Sequence, residues 1–547
     1  MRWTRRLLVV GGCAAAVAGA WMLLRPRVPG WWASHKLTRV PNEIAAHDLE
    51  RARGDLLEVL DLAPGDVQAR TMLADLELGA NRLDHAFLHY QALTELQPGS
   101  ARAWLGLARV RIAADQPEEA EAALTRALEA GLAGEPDIRL RAQLRYRFGR
   151  YHGALLDAER AVRLDPRDAQ AWLVAVRSAA RLDGASAVVD RAVASGIDRR
   201  LLEEPDASKP LPRRGGADRA ESWPGELGEM IRNVLGRMRA KDWTAADALA
   251  AQAGRTWPAT LMGPWLAGLV LYQRGDLAPA ERSFREALRR SPRSHRVVTN
   301  LIPIWSREGG ALHAGDELSG LVASDPGFVY PLQIAARAYL EGDQPARAEA
   351  ALRRELEILP DSPTPFHDLA RFDLEIDRGS EAIAVCERGL ARFPHDAELN
   401  VDAARAAALL GDRARAIEGY EAALAERPDD QVAAAEVAAL LVEDRGQRDR
   451  ALALVRWLER DAPIDPDVLG AMGIVLLESD PVRARRYLEP ASAAAPADAR
   501  LHYQLALALR RTGDVAHAIE QLGFALKSGK PFRGEAEARR LLRELAP

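Results

Sequence analysis

The chain has 547 residues, and its 74 lysines and arginines against 79 aspartates and glutamates give a net charge of −5 at pH 7. This balance argues against a general nucleic-acid binder, which would usually be basic, so no nucleic-acid partner is expected. With 48% hydrophobic and 28% charged residues, the composition is that of a globular protein and not of a disordered or polytopic one.

The first feature along the chain is an uncharged, mostly apolar run of 18 residues from Leu7 to Leu24, with three arginines before it. As a helix this run would be about 27 Å long, close to the thickness of the hydrocarbon core of a bilayer. We therefore predict that residues 1–27 form a signal-anchor that crosses a membrane once, and that residues 28–66 form a juxtamembrane segment and a leading helix over 42–62.

Other export signals remain alternatives for this segment. The small residues Ala18-Gly19-Ala20 would permit cleavage of a secretory signal peptide. Arg5-Arg6 resembles a twin-arginine signal, and Val10-Gly11-Gly12-Cys13 resembles a lipoprotein box. Basic residues lie on both sides of the apolar run, but the basic segment before it is only six residues long, which favours the bulk of the chain outside the cytoplasm.

Further along, prolines and alanines recur at a fixed interval. Six prolines recur at intervals of 34 residues: Pro258, Pro292, Pro326, Pro360, Pro394 and Pro428. Alanine recurs at the twentieth position of the same unit: Ala86, Ala120, Ala154, Ala246, Ala280, Ala314, Ala348, Ala382, Ala416, Ala451, Ala484 and Ala518. Because proline ends a helix and a small residue lets two helices approach closely, the pattern predicts repeated helix–turn–helix units.

This pattern resembles the tetratricopeptide repeat (TPR) family, whose 34-residue unit is a pair of helices. Residues 101–134 carry its marks in Trp104, Leu107, Ala108 and Ala120. The resemblance implies an all-α, right-handed superhelical solenoid of about thirteen helix–turn–helix units.

A stretch that is rich in proline, glycine and charged residues divides the repeats. We predict an N-terminal repeat block over 67–202, a linker over 203–226 and a C-terminal repeat block over 227–532. The amphipathic residues 533–547 are predicted to form a capping helix, because the last unit of a stack needs a polar outer face.

The sequence carries no motif for catalysis or for a cofactor: it has no nucleophile elbow, no zinc-protease helix and no dinucleotide fingerprint. His85 and His89 lie four residues apart on a predicted helix, and two exposed histidines explain them better than a metal site. Cys386 falls at a position where the repeat packs, which indicates a small core residue. We therefore predict that the protein is not an enzyme and binds neither a cofactor nor a metal.

In the family that the sequence resembles, partners bind to the inner face of the solenoid, which the first helix of each unit lines. Position 9 of that helix is arginine in four units: Arg109, Arg337, Arg371 and Arg405. Such a row could grip the carboxylates or phosphates of an extended ligand. The alternative is a solvated surface, since acidic residues lie three or four positions from three of these arginines: Glu341, Glu375 and Asp402.

Aromatic residues form a second candidate for partner binding. Trp265 and Tyr272, together with Trp305, fall on neighbouring predicted helices, where they could form a binding platform. The alternative is that they pack between helices.

These features predict a non-catalytic, membrane-anchored scaffold or adaptor that binds protein partners in the bacterial cell envelope, in assembly, secretion or surface-polysaccharide export. The expected location is the inner membrane, with one span through residues 7–24 and the bulk of the chain in the periplasm. Two functional alternatives remain: a binder of an anionic polymer such as an acidic exopolysaccharide, and a cytoplasm-facing adaptor of envelope biogenesis. A cleaved and secreted chain is the alternative for location.

Overall fold

The structure is a computed structural model, and it describes these residues: 28–131, 134–182, 184–202, 223–460, 465–527, 532 and 534–545. The predicted membrane segment and most of the predicted linker lie outside these residues. Within the described ranges the secondary structure is helical, without a strand, which confirms the all-α prediction.

Twenty-nine α-helices follow one another in the described part of the chain. In chain order they are α1 (Val28–Ala45), α2 (Leu49–Leu62), α3 (Val67–Gly79), α4 (Leu83–Leu96), α5 (Ala101–Ala113), α6 (Pro117–Glu129), α7 (Glu135–Arg147), α8 (Tyr151–Leu164), α9 (Ala169–Arg181), α10 (Ala185–Ala194), α11 (Arg199–Leu202), α12 (Gly225–Arg239), α13 (Trp243–Thr256), α14 (Met262–Arg274), α15 (Leu277–Arg290), α16 (His295–Ser324), α17 (Tyr330–Glu341), α18 (Pro345–Ile358), α19 (Thr364–Glu375), α20 (Gly379–Leu390), α21 (Ala397–Leu409), α22 (Arg413–Glu426), α23 (Gln431–Leu441), α24 (Arg448–Arg460), α25 (Pro466–Leu476), α26 (Pro481–Ala494), α27 (Ala499–Arg511), α28 (Val515–Lys527) and α29 (Glu535–Leu545).

The helices pair as the repeat predicts, because small residues lie where the two helices of a unit meet. All twelve alanines at the twentieth position have no exposed surface. In the unit of α14 and α15, a Cβ atom added to Gly268 would lie 2.6 Å from the ring of Phe284. Since a real Cβ cannot approach a ring so closely, a larger residue there would push the helices apart.

Turns between helices follow the local sequence. Gly275 ends α14 with φ of 95°, in the left-handed region that favours glycine. After α17 the left-handed residue is Asp343, with φ of 56°, and not the preceding glycine. Aspartates start many of the helices, as Asp396 does by accepting a hydrogen bond from the backbone N–H of Leu399 at 2.8 Å.

Two segments differ from the helices that the sequence pattern predicts. The single leading helix expected over 42–62 is divided between α1 and α2, with His47 at φ of 58° between them. Helix α16 contains both helices of its unit, and non-helical backbone at Gly309 and Gly310 separates them. Gly310 has φ of 77°, so glycine allows the break.

The described residues form two compact units. The first comprises those of Met1–Phe148, Ala154–Ala180 and Gly184–Ala348, and the second those of Gly149–Gly153, Arg181–Asp183 and Glu349–Pro547. None of the helices in the described ranges is both long enough and apolar enough to span a membrane.

Candidate functional site

The first unit contains a side-by-side contact between repeats that are far apart in sequence. The backbone N–H of Leu227, in the first turn of α12, donates to Oδ2 of Asp84 on α4 at 3.0 Å, across 143 positions. The first N–H groups of a helix have no partner within the helix, so a carboxylate from α4 caps α12 as a local residue otherwise would.

Two arginines extend this contact by donating to the carbonyl ends of helices. Nη2 of Arg70 lies 3.1 Å from the carbonyl oxygen of Arg290, the last residue of α15. In the opposite direction, Nη1 of Arg293 lies 3.1 Å from the carbonyl oxygen of Leu96, the last residue of α4. The last carbonyls of a helix lack partners and carry the negative end of its dipole, so a guanidinium satisfies both demands. These reciprocal caps join the early repeats to the later ones within one unit.

Aromatic side chains pack beside these caps. The ring of Trp223 meets that of Phe87 edge-on at 5.6 Å and that of Trp265 at 5.8 Å. The guanidinium of Arg296 lies over Trp223, 4.1 Å from the centre of its ring, and 5.2 Å from that of Trp265. The edge-on and tilted rings, with a cation over two of them, form an aromatic wall.

A cleft of about 580 Å³ opens next to this wall. From the earlier repeats its lining includes Phe87, Glu95, Trp104, Leu107 and Arg111. From the later repeats it includes Trp265, His295, Arg296, Asn300 and Tyr330. The volume lies in the range of ligand sites in proteins, and the lining combines aromatic and apolar residues with polar and charged ones.

Burial shifts the pKa of two groups that line the cleft. Burial raises the pKa of Glu95 to about 8, although Arg296 and hydrogen bonds from the backbone of His295 and from Ser294 act in the opposite direction. Burial also lowers the pKa of His295 to about 4, and its ring stacks on that of Tyr330 at 3.7 Å. At pH 7 His295 is therefore neutral and Glu95 is mostly protonated, and the lining also contains Arg111 and Arg296.

The three predicted aromatic residues lie in different surroundings, and one of them lines the cleft. Trp265 lines the cleft, is 5% exposed and donates from Nε1 to Oδ1 of Asn300 at 2.6 Å. Tyr272 is half-buried outside the cleft lining, with the guanidinium of Arg307 5.0 Å from its ring centre. Trp305 is buried and donates to Glu281 at 3.0 Å.

The predicted arginine row divides between the two units. Arg109 and Arg337 belong to the first unit and are exposed. The side chain of Arg337 is 81% exposed and lies 3.8 Å from Glu341, its intrahelical neighbour. An ion pair as exposed as this one contributes little to stability.

In the second unit, Arg371 and Arg405 both face acids or polar groups of other helices. Nε of Arg371 lies 3.4 Å from Oδ1 of Asp402 and its Nη2 lies 3.6 Å from Glu398, both on α21. Arg405 is half-buried and hydrogen-bonds the side chain of Tyr420. These contacts cross from one helix to the next. The two arginines are therefore engaged by residues of neighbouring helices and not only by acids of their own helix.

Asp402 also binds His367, which the sequence did not single out as functional. Its Oδ2 lies 2.9 Å from Nδ1 of His367, whose Nε2 lies 3.1 Å from Asp396. Burial lowers the pKa of His367, but the hydrogen bonds to Asp396 and Asp402 outweigh it and raise the pKa to about 9. His367 is thus a buried cation that joins α19 to α21.

The histidine pair on α4 is not exposed as expected. His89 is 1% exposed, and burial holds its pKa well below its usual value. His85 is partly buried and lies 6.4 Å from the ring of Trp257. In the part of the chain that the structure describes, no group of three or more histidines, cysteines or acids is arranged to hold a metal ion. Cys386 is buried, as predicted, and burial raises the pKa of its thiol to about 12.

Comparison with protein families supports the repeat assignment. One tetratricopeptide-repeat model matches residues 78–144, and another matches residues 37–101 and 478–533. Comparison with curated proteins gives no significant match. The stretches 37–144 and 478–533 are thus similar to tetratricopeptide repeats.

Several solved structures are similar in fold. The APC/C hetero-tetramer Cut9–Hcn1 is 13% identical, with 94% of this chain and 96% of that chain covered and a TM-score of 0.37. Yeast Tom70 is 14% identical, with 88% and 95% covered and a TM-score of 0.32. A tetratricopeptide repeat protein from Parabacteroides merdae is 15% identical, with 52% and 99% covered and a TM-score of 0.32.

Proposed function

We propose that the protein is a non-catalytic scaffold of the bacterial cell envelope, anchored in the inner membrane through residues 7–24 with its repeats in the periplasm. Repeat proteins of the TPR type mediate protein–protein interactions. The observation that supports this function for the present protein is the cleft of the first unit, where we place the partner. The apolar run Leu7–Leu24, which precedes the described residues, supports the anchor.

The alternative of an anionic polymer along the arginine row has less support. Such a polymer needs a continuous surface of arginines that are available to it. Arg371 contacts Asp402 and Glu398, and Arg405 contacts Tyr420. A polymer would have to displace these contacts.

The anchor is tested in the full chain by placing charges in the apolar run. Val10→Arg with Val17→Arg should release the protein from membranes washed at high salt, because two arginines near the bilayer centre are costly. The matched control is Leu164→Arg with Val193→Arg, which changes two exposed apolar residues of the repeats. A reporter fused to the C-terminus should be active in the periplasm.

Two results would contradict this part of the proposal. Membrane association that survives the Val10→Arg and Val17→Arg changes would mean that another segment binds the membrane. Reporter activity only in the cytoplasm would place the repeats on the cytoplasmic side of the membrane and favour the cytoplasm-facing adaptor.

A further inference from the structure

We propose that the cleft of the first unit binds an uncharged, extended segment of a partner protein, with a large apolar side chain of that segment packed on the aromatic lining and a backbone carbonyl oxygen accepting a hydrogen bond from Asn300. This inference rests on the proposed scaffold function and gives the chemistry of its partner. The site differs from a groove along consecutive repeats, because one wall comes from α4 and α5 and the other from α14, α16 and α17.

The aromatic residues of the lining have their polar atoms paired within the protein. Nε1 of Trp104 donates to the carbonyl oxygen of Pro98 at 2.8 Å, and Nε1 of Trp265 donates to Oδ1 of Asn300 at 2.6 Å. Phe87, which also lines the cleft, has no polar side-chain atom. What these rings offer a ligand is therefore apolar surface, held in place by hydrogen bonds before the ligand arrives.

The charged groups of the lining are already engaged within the protein. Arg111 donates from Nη1 to Oε1 of Gln116. The guanidinium of Arg296 lies over the ring of Trp223 at 4.1 Å, and it faces Glu95. An ionic group of a ligand would have to displace these interactions and to lose its own water, whereas an uncharged segment leaves them in place. The electrostatics of the cleft therefore favour a ligand segment without charge.

Asn300 supplies a hydrogen-bond donor whose orientation is fixed. Its Oδ1 accepts from Trp265, so the side-chain amide cannot turn over without losing this bond. Among the residues that the structure describes, Nδ2 of Asn300 has no hydrogen-bond partner, and neither has the side-chain amide of Gln91 on the other wall. A peptide backbone offers a carbonyl oxygen to the first amide, and both a carbonyl oxygen and an N–H to the second. The two amides thus match the backbone of a polypeptide.

The size and the lining of the cleft favour a peptide over other ligands. A volume of about 580 Å³ accommodates a few residues of a peptide and not a folded domain. An oligosaccharide presents hydroxyl groups on most sides, and those that face the apolar lining would lack hydrogen-bonding partners, which is costly. Side chains of an extended peptide alternate in direction, so one apolar side chain can enter the cleft while the backbone stays near the two amides.

The test is selection of a random decapeptide library on the immobilised full chain. Enriched peptides should share a large apolar residue without a shared charged one, and their affinity should change little up to about 0.5 M salt, because no ion pair forms. Asn300→Asp keeps an oxygen that accepts from Trp265 but removes the N–H groups, so it should weaken binding of an enriched peptide about tenfold. Gln91→Glu should weaken it as well. The matched control is Gln97→Glu, the same change of amide to acid at an exposed position outside the cleft lining.

Circular dichroism of each variant checks that the helices persist. Enrichment of charged peptides whose affinity falls steeply with salt would overturn the proposal. So would equal affinity of an enriched peptide for the wild type and for the Asn300→Asp and Gln91→Glu variants. Tighter binding of a neutral oligosaccharide such as maltohexaose, lost in the same two variants, would assign the cleft to another class of ligand. The scaffold function would survive each of these results if a protein partner is captured through a charged segment or through other repeats, so the two proposals fail separately.

Discussion

The guanidinium of Arg70 donates to the carbonyl oxygen of Arg290 at 3.1 Å, although the two residues are 220 positions apart in sequence. Arg70 also donates to the carbonyl oxygen of Pro64 and is 1% exposed. Burial lowers its pKa to about 10, so it remains charged at neutral pH. A buried guanidinium therefore bridges an early repeat and a late one, and Arg293 does the reverse at Leu96.

Replacing Arg70 should destabilise the first unit. Arg70→Met keeps an unbranched apolar stem but leaves the carbonyl oxygens of Pro64 and Arg290 without this donor, at a cost of about 1–3 kcal/mol for a buried group. Thermal unfolding measures the loss, and Arg102→Met is the control at an exposed arginine of the same unit. Equal melting temperatures for the wild type and Arg70→Met would show that the bridge contributes nothing.

The stability of the first unit should fall as pH rises, because of Glu95. Its folded pKa of about 8 exceeds the ordinary 4.5, so the folded chain holds an extra proton between these values. Stability is therefore lost progressively from about pH 4.5 to pH 8. The facing groups are Arg296, Arg70, Ser294 and the backbone of His295. Glu95→Gln should flatten this slope in denaturant unfolding at pH 5 and pH 8; an unchanged slope would mean that Glu95 ionises normally.

How far the sequence could predict this structure depends on the range of each interaction. The alanines of the twentieth position report contacts within one repeat, and all twelve are buried as the period indicates. The contact of Arg70 with Arg290 has no such signature, because a backbone carbonyl can accept from any donor that the fold brings near. Trp223 fell in the predicted linker, where one tryptophan next to a proline was the sole sign of packing.

The arginine row shows the same limit. The period places Arg371 and Arg405 at equivalent positions, but spacing along a helix suggested Glu375 as the neighbour of Arg371 and Asp402 as that of Arg405. In the structure Asp402, which lies in the next repeat, contacts Arg371 and His367 instead. Contacts between neighbouring repeats depend on how their helices are offset, which a repeat period does not specify. A role of the row in partner binding remains a prediction.

The second unit should also lose stability at alkaline pH, through His367. Its folded pKa of about 9 lies above the ordinary 6.5, so its contribution is fully present below about pH 6.5 and is lost as pH rises through 9. His367→Gln should remove this dependence while the Glu95→Gln variant keeps it. Denaturant unfolding at pH 6 and pH 9.5 distinguishes them, and the idea fails if the histidine variant retains the wild-type slope.

Overpacking at the repeat alanines should be costly. Ala280 has no exposed surface, so Ala280→Leu forces α14 and α15 apart and should cost about 1–3 kcal/mol. Ala278→Leu, at an exposed position of the same helix, is the control and should change the melting temperature little. If both variants melt alike, the interface between the two helices is not packed as described.

The central claim is that the cleft of the first unit holds a protein partner, and crosslinking from inside the cleft tests it most directly. A photoreactive phenylalanine at the exposed Thr299 of the full chain should form one discrete protein adduct in cells. The adduct should be absent when the photoreactive residue replaces the exposed Ala278, which lies outside the cleft lining. An adduct that forms equally from Ala278, or the absence of an adduct from Thr299, would contradict the account.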